Sequence, residues 1–415
     1  MRVQLFNPPV YYYSNVHYAL NPPLGLPILA AVLENAGHTA EVADLEMLLV
    51  SPIKLAEHFR RQGDRWPDVV GFTCLSQNVR GVRESIAALR SVGYQGYIMV
   101  GGPHITLFPE QGLEMGADVA VVGECEGNIV SIIETQPKPA IVHGERMPIE
   151  DIPAPLWEKH QPAPNRYGGN LPQLAMPEGI TMWSRGCPGA CTFCSNPVFR
   201  RQRIRRRPKE AIREELLAMK QWRVHGLFVY DDELVAPGNE EWLTGVCGCI
   251  ADLGYEWKCQ GRVSRKHVTP ELMREMHSAG CRAIMWGVES FSDDALRNMN
   301  KGTAEEDIWH SLRCARDAGI GNWLFLMVGN YKETVQDLAH TERQLKKARE
   351  EGLVQWRQVT ICTPTPGSEL YRLAEEEGWL REPPETGPRM AQIYAPTPWL
   401  SKREMELWKR RLEVA

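Results

Sequence analysis

No run of apolar residues in the 415-residue chain is long enough to span a bilayer. The opening Met1-Arg2-Val3-Gln4-Leu5-Phe6 lacks the apolar core of a secretory leader and reads as a strand. A cytoplasmic protein without a membrane partner is expected. Cysteine is sparse, with 11 in the whole chain, too few for a disulfide scaffold at this length. Positive charge is not in excess either: 47 Lys and Arg face 52 Asp and Glu, a formal net charge of -5, which argues against general polyanion binding. What the chain does have is 43% hydrophobic residues, enough for a sizeable core shared by two domains or more.

Three of the cysteines stand apart. Gly186-Cys187-Pro188-Gly189-Ala190-Cys191-Thr192-Phe193-Cys194 places them at Cys-x3-Cys-x2-Cys spacing on a tight loop. Thiolates this close converge on one metal centre, and three sulfurs on a [4Fe–4S] cube leave the fourth iron open for a ligand. A zinc knob with a distant fourth ligand is the plainer alternative. Cys74, Cys125, Cys281 and Cys314 fall in apolar or helical patterns and read as buried thiols. Cys247 and Cys249 sit two apart on a helix and face different ways.

Residues 1–146 alternate strand and helix signals. Strands are expected at Arg2–Phe6, Glu41–Asp44, Asp68–Thr73, Gly96–Val100 and Asp118–Val122, with a helix over Leu24–Ala36. Near-continuous apolar strands separated by helices make a Rossmann-like, doubly wound parallel sheet, whose ligands bind beyond the carboxyl ends of the strands. Three segments fall there: Thr73-Cys74-Leu75-Ser76-Gln77, Gly101-Gly102-Pro103-His104-Ile105-Thr106 and Gly123-Glu124-Cys125-Glu126-Gly127. Their glycines let a large ligand or phosphate approach the backbone, although ordinary strand-to-helix turns look similar. Residues 147–178 are rich in proline and glycine and read as a semi-rigid linker pinned by Trp157 and Tyr167.

Strand and helix signals resume over residues 179–380. Strands at Gly179–Trp183, Gly226–Tyr230, Glu256–Gln260, Arg282–Gly287, Asn322–Val328 and Gln355–Ile361 give six β/α units, a partial (β/α)6 barrel with its chemistry at the carboxyl ends. Tyr230-Asp231-Asp232-Glu233, Gly261-Arg262-Val263-Ser264, Gly287-Val288-Glu289-Ser290 and Gly329-Asn330-Tyr331-Lys332-Glu333 lie at those ends. Carboxylates hold ammonium or ribose hydroxyls and arginine binds carboxylate, the groups that S-adenosylmethionine presents; helix caps are the alternative reading. Trp183, Tyr230, Trp257 and Trp286 read as barrel core rather than a substrate platform. Residues 381–415 form a loop and a charged helix expected to cap the barrel. Arg200-Arg201-Gln202-Arg203-Ile204-Arg205-Arg206-Arg207 is the one dense basic run. Without interleaved aromatics it reads as a solvated face or as a neutraliser of a bound phosphate or carboxylate rather than a nucleic-acid site.

The second half resembles the radical SAM superfamily, through the Cys187, Cys191 and Cys194 spacing with Phe193 before the last cysteine, Gly287–Ser290, Met299-Asn300-Lys301-Gly302 and Thr363-Pro364-Thr365-Pro366-Gly367-Ser368. The resemblance implies a [4Fe–4S] cluster on those cysteines. The amino and carboxylate groups of S-adenosylmethionine chelate the open iron, and its reductive cleavage gives a 5′-deoxyadenosyl radical. By position it implies that Asp232 meets the amino group, that Arg262 and Glu289 make polar contacts, and that Gly329 lies on the adenine side. A reductase such as flavodoxin or ferredoxin and a small-molecule substrate are the implied partners.

The first half, through Pro22-Pro23-Leu24-Gly25-Leu26, Gly101–Thr106 and Gly123–Glu126, resembles the cobalamin-binding domain found ahead of many such enzymes. That implies Gly101, Gly102, Pro103, His104, Thr106, Gly123 and Glu124 around the corrin and its nucleotide tail. The Asp-x-His-x-x-Gly motif is absent, so no histidine lower ligand is implied, and Leu75, Ser76 and Gln77 are the candidates for facing cobalt. His104 reads as a turn histidine near a phosphate or ribose. Methylation of an unactivated carbon through methylcobalamin is one implied chemistry. Cyclisation, oxidation or rearrangement of the anaerobic cyclase type is the other, through Phe193–Arg200 and Arg205–Lys209, with cobalamin in another role or absent. A methylthiotransferase fits less well, because the first half lacks three spaced cluster cysteines. An iron–sulfur electron carrier or cofactor sensor is the non-catalytic reading.

Overall fold

The computed structural model describes residues 1–10, 21–168, 174–196, 198, 203–380 and 396–415. The chain divides into two compact units, the first over Met1–Gly169 and the second over most of the remainder. None of the helices described is long and apolar enough to cross a membrane.

The first unit is a seven-stranded parallel sheet: β1 (Arg2–Asn7), β2 (Thr39–Asp44), β3 (Val69–Thr73), β4 (Tyr97–Gly101), β5 (Val119–Val122), β6 (Ala140–His143) and β7 (His160–Gln161), in the order β6-β5-β4-β3-β1-β2-β7. Alternate side chains feed two cores. In β4, Ile98 and Val100 pack with Phe59, Ile86 and Leu89 on one face. Tyr97 and Met99 pack with Leu33, Ile129 and Ile133 on the other. Helices therefore cover both faces, as the doubly wound reading requires. β2 and β3 flank β1 on opposite sides, so the chain reverses direction across the sheet between β1 and β3. Ligands of open parallel sheets bind beyond the carboxyl ends of strands at such a reversal.

Two strands were not read from the sequence. β6 is short and alternately exposed. β7 lies inside the proline-rich stretch and pairs His160 with Val42 and Gln161 with Ala43. The same stretch sends Tyr167, 1% exposed, to donate its hydroxyl to Asp44 Oδ2 at 2.7 Å. Residues 169–173 lie outside the described residues.

The second unit carries β8 (Glu178–Thr181), a small antiparallel pair β9 (Ser184–Arg185) and β10 (Arg205–Arg206), then β11 (Gly226–Val229), β12 (Glu256–Gly261), β13 (Cys281–Glu289), β14 (Gly321–Val328) and β15 (Trp356–Ile361). Its main sheet runs β8-β11-β12-β13-β14-β15, all parallel and in chain order, with β8 and β15 left as edges. That is the connectivity of six β/α units not closed into a ring. Register places Gln260, Met285, Trp323 and Trp356 side by side on one face, with Gly287, Phe325 and Gln358 in the next row. Trp257, Trp286, Leu324 and Leu326 occupy the opposite, fully buried face. Below the first row, Lys258 Nζ meets Glu178 Oε2 at 2.7 Å, with 0% and 1% of their side chains exposed.

The helix Lys402–Val414 buries Met405, Trp408 and Leu412, and packs on β15 and β14. Residues 381–395 of the expected cap lie outside the described residues, as do 200–202 of the basic run. Of that run, Arg206 Nε donates to Asn239 Oδ1 at 2.6 Å. Arg207 pairs with Glu215 at 2.6 Å and donates to the Met182 carbonyl. These two cations hold the chain rather than a ligand.

Candidate cluster and cofactor site

The cysteine loop hangs from β8, and each flank is tied down. Asp231, just past β11, accepts from Trp183 N at 2.8 Å and from Ser184 Oγ at 2.5 Å. Burial pushes this carboxyl up to about 7 against those donors. Gly186, at φ 108°, donates its N–H to Asp232 Oδ2 at 3.0 Å, and Asn196 Nδ2 donates to Asp232 Oδ1 at 3.2 Å. From later in the chain, just past the helix Asp293–Asn298, Asn300 Nδ2 donates to the Ala190 carbonyl at 2.9 Å. Thr192 N donates to the Met299 carbonyl at 2.9 Å, and Leu370 N to the Thr192 carbonyl at 2.7 Å.

Around the sulfurs, polar donors and charge are arranged with little slack. Cys187 Sγ donates to Glu233 Oε2 at 2.9 Å and accepts from Gly189 N at 3.3 Å. Cys194 Sγ accepts from Asn196 N at 3.4 Å. Arg262 lies beyond β12, with Nε 2.7 Å from Glu233 Oε1 and Nη2 3.9 Å from Cys187 Sγ. Its Nη1 donates to the Lys301 carbonyl. Burial, then Glu233, pushes the Cys187 thiol up to about 12, and burial also raises Cys194. Iron must therefore displace these protons, as metal does at any thiolate site. Burial works against the charge on Arg262 and Lys301, but the neighbouring anions together outweigh it, Glu233 with the cysteine sulfurs for one and Glu289 with Cys191 for the other, so both stay cationic.

Three thiols with two fixed cations beside them fit a cluster whose corners are anionic. N–H donors to sulfur tune such a centre. Among the described residues no three His, Cys, Asp or Glu side chains converge on a single-ion site. A cube does not need that convergence, because each thiolate takes a different iron. Gly189 is fixed by this packing: a Cβ there would stand 2.3 Å from Arg262 Nη2 and 3.2 Å from Cys187 Sγ. Gly189→Ala is expected to displace Arg262 and lower the iron bound after reconstitution several-fold, read as iron and sulfide per chain. Unchanged loading would show that Arg262 has room to move.

The other sequence candidates fall around the same loop. Glu289 ends β13 at φ 63°, a strained conformation for a residue with a side chain, and pairs with Lys301 Nζ at 3.0 Å. Gly287 makes room for that pair, since a Cβ there would sit 2.9 Å from Lys301 Nζ. Phe193 packs with Cys362, Leu370 and Trp379, and Lys301 Nζ lies 5.7 Å from its ring. Gly329, at φ 91°, donates to Glu333 Oε2 at 2.7 Å and abuts Met405 of the C-terminal helix. Glu233 was missed, because three consecutive acids give spacing no means of choosing among them. Tyr230 is a correction: Trp183, Trp257 and Trp286 are 0% exposed, but Tyr230 is 49% exposed and not core. The row partners Trp323, Phe325 and Trp356 were read only as apolar strand.

In the first unit, Leu75 and Ser76 are half-buried and Gln77 is exposed, at the end of β3 where the sheet reverses. Gly102, at φ 101°, admits no side chain: a Cβ would lie 2.9 Å from both Cys74 N and Cys74 O. Gly101 lies beside it at the end of β4, half-buried. Gly123, at φ 84°, faces open space and donates its N–H to Thr106 Oγ1 at 2.9 Å. Glu124 approaches Arg146 at 3.6 Å. Pro103 begins the helix Pro103–Leu107 and is exposed. His104 is 1% exposed, with Nδ1 3.2 Å from Ser76 Oγ and Nε2 2.9 Å from Gln111 Oε1. Both ring nitrogens are engaged within the unit, and burial lowers its pKa, so it is a neutral internal side chain.

Residues 181–345 match the Radical SAM superfamily and residues 15–133 the B12 binding domain. An uncharacterized methyltransferase of Pyrococcus horikoshii is 25% identical over 374 residues, covering 85% of this chain and 78% of that protein. The anaerobic magnesium-protoporphyrin IX monomethyl ester cyclase of Rubrivivax gelatinosus is 26% identical over 410 residues, covering 90% and 70%. The radical S-adenosylmethionine methyltransferase TsrM of Kitasatospora setae, solved with cobalamin and a [4Fe–4S] cluster, shares the fold at a TM-score of 0.71 and 18% identity. The match covers 92% of this chain and 76% of that one. With a B12-binding domain on the doubly wound sheet and a radical SAM domain around the cysteine loop, the chain belongs to the radical SAM enzymes that carry a cobalamin-binding module.

Proposed function

We propose that the chain methylates an unactivated carbon of a small molecule, with a [4Fe–4S] cluster on Cys187, Cys191 and Cys194, S-adenosylmethionine beside it, and cobalamin in the first unit. The grouping of the three thiols with Arg262, Glu233 and the Glu289–Lys301 pair carries the reading. When bound, the cluster supplies the electron that cleaves S-adenosylmethionine to a 5′-deoxyadenosyl radical, and cobalamin supplies the methyl carrier.

The chain's own side chains then have definite tasks. Arg262 Nη2, with its other nitrogens committed to Glu233 and Lys301, is the donor aimed past Cys187 and takes the methionine carboxylate. The Glu233 oxygen that accepts the Cys187 proton is released once that sulfur ligates, and with Asp232 it offers acceptors for the ammonium. Glu289 and Gly329 line the nucleoside side. In the first unit, Leu75, Ser76 and Gln77 would face the cobalt, and the engaged ring of His104 leaves that histidine out of the ligand set. Gly101, Gly102, Pro103, Thr106, Gly123 and Glu124 flank the corrin and its tail. A flavodoxin- or ferredoxin-type protein is the electron donor in the cell.

The test uses the full chain, reconstituted anaerobically with iron, sulfide and hydroxocobalamin. Dithionite and S-adenosylmethionine should yield 5′-deoxyadenosine, and about one corrin per chain should survive gel filtration. No deoxyadenosine would sink the enzyme reading, and no retained corrin would remove the methyl carrier. The likeness to the cyclase favours a second reading, oxidation or ring closure. S-adenosylhomocysteine formed together with deoxyadenosine during turnover selects methylation, and deoxyadenosine alone selects the second.

A further inference from the structure

On the inner face of the second unit's sheet, charge among the described residues lies at the two ends. Lys258 and Glu178 neutralise one another near the amino ends, and Arg262, Glu233, Lys301 and Glu289 do so at the carboxyl ends. The rows between them are Gln260, Met285, Trp323 and Trp356, then Phe325 and Gln358, with Tyr230 beside Gln260; none of these side chains is charged. Phe228, Met285 and Trp323 form a packed floor with Phe325 and Trp356 against it. Above that floor Tyr230 and Gln358 are exposed and Gln260, Phe325 and Trp356 half-buried. Trp323 and Phe325 lie 6.1 Å apart at 42°.

Hydrogen-bonding capacity is left over on this face. Trp323 is 92% buried, yet its Nε1–H has no acceptor among the described residues. Among the described residues, the side-chain amides of half-buried Gln260 and exposed Gln358 make no hydrogen bond. Buried donors are normally paired, and the accessible amides of Gln260 and Gln358 beside the aromatic wall can pair with polar groups on the edge of a ligand. A charged ligand would lose its hydration here without a counter-ion, whereas a flat ring gains both stacking and area.

We infer that this face is the substrate site and that the substrate is an uncharged planar ring system with N–H or C=O groups on its edge. The inference rests on the proposed radical function for its chemistry, though not for its test. Acridone is a suitable probe, being neutral and planar with both edge groups; 9-aminoacridine is its cationic counterpart and acridone-10-acetate its anionic one. Equilibrium dialysis against the reconstituted full chain should show acridone bound about tenfold or more tighter than either charged analogue. Phe325→Ala should weaken acridone about tenfold while the cluster absorbance is retained. Should that variant fail to fold, Gln358→Ala, at an exposed side chain, should weaken it about threefold to tenfold. Equal binding of the three probes, or unchanged acridone affinity in a folded variant, overturns the inference. Acridone bound selectively by a chain that makes no deoxyadenosine would sink the proposed function and leave this site standing. Deoxyadenosine formed without selectivity would do the reverse.

Discussion

Cys191→Ala protein, reconstituted with iron and sulfide, stays colourless and forms 5′-deoxyadenosine only at background. Each thiolate on a three-cysteine loop holds one corner of the cube, so losing one leaves two anchors and two uncovered irons. Cys191 is the middle cysteine of the loop and is 8% exposed. The backbone clamps on either side, Asn300 to Ala190 and Thr192 to Met299, do not involve its sulfur. Circular dichroism and gel filtration should therefore match those of the parent chain while iron content collapses. Retained iron with retained activity would remove the cysteine loop from the chemistry.

The second large effect lies well below the loop. Lys258→Met is expected to destabilise the second unit by about 3–5 kcal/mol, because it strands the Glu178 carboxylate where its side chain is 1% exposed. Against a domain stability of about 5–15 kcal/mol, that is a large fraction of the whole. Burial already pulls the Lys258 pKa down, so the ammonium is held there by Glu178, with the Phe228 ring 5.4 Å away. Lys258→Met with Glu178→Leu removes both charges and should recover most of the loss, since a buried pair often exchanges for apolar packing at little cost. Urea unfolding of the parent, single and double variants checks this. A single variant within about 1 kcal/mol of the parent would mean that water reaches Glu178.

The grouping of Cys187, Cys191 and Cys194 on one loop could be read because their spacing is local, and the long strands because they are apolar along their length. β7 could not: two residues among prolines offer neither periodicity nor length. The Lys258–Glu178 pair joins residues 80 apart, and no pattern in either segment announces the other. Side-chain roles within strands were hardest to read. Trp323-Leu324-Phe325-Leu326-Met327 is apolar at every position, so the sequence shows a buried strand but not which alternate residues line the inside. The signal was present as aromatics at 323 and 325 alternating with leucines, and pairing register turned it into a face. His104 shows the opposite limit, where a conspicuous residue beside glycines proves to be bonded internally to Ser76 and Gln111.

The ties on the cysteine loop also set an order of events. Thr192 is held by the carbonyl of Met299 and in turn holds the amide of Leu370, so the ligand loop is finished by backbone that emerges from the ribosome long after it. At about 5–20 residues per second, the loop waits several seconds or more for the helical segments that hold its backbone. During that interval three neighbouring thiols are exposed to oxidation and to stray metal. Loading of a cluster on the loop would thus be a late event, favoured by keeping the nascent loop reduced until the helix Glu369–Glu376 has formed.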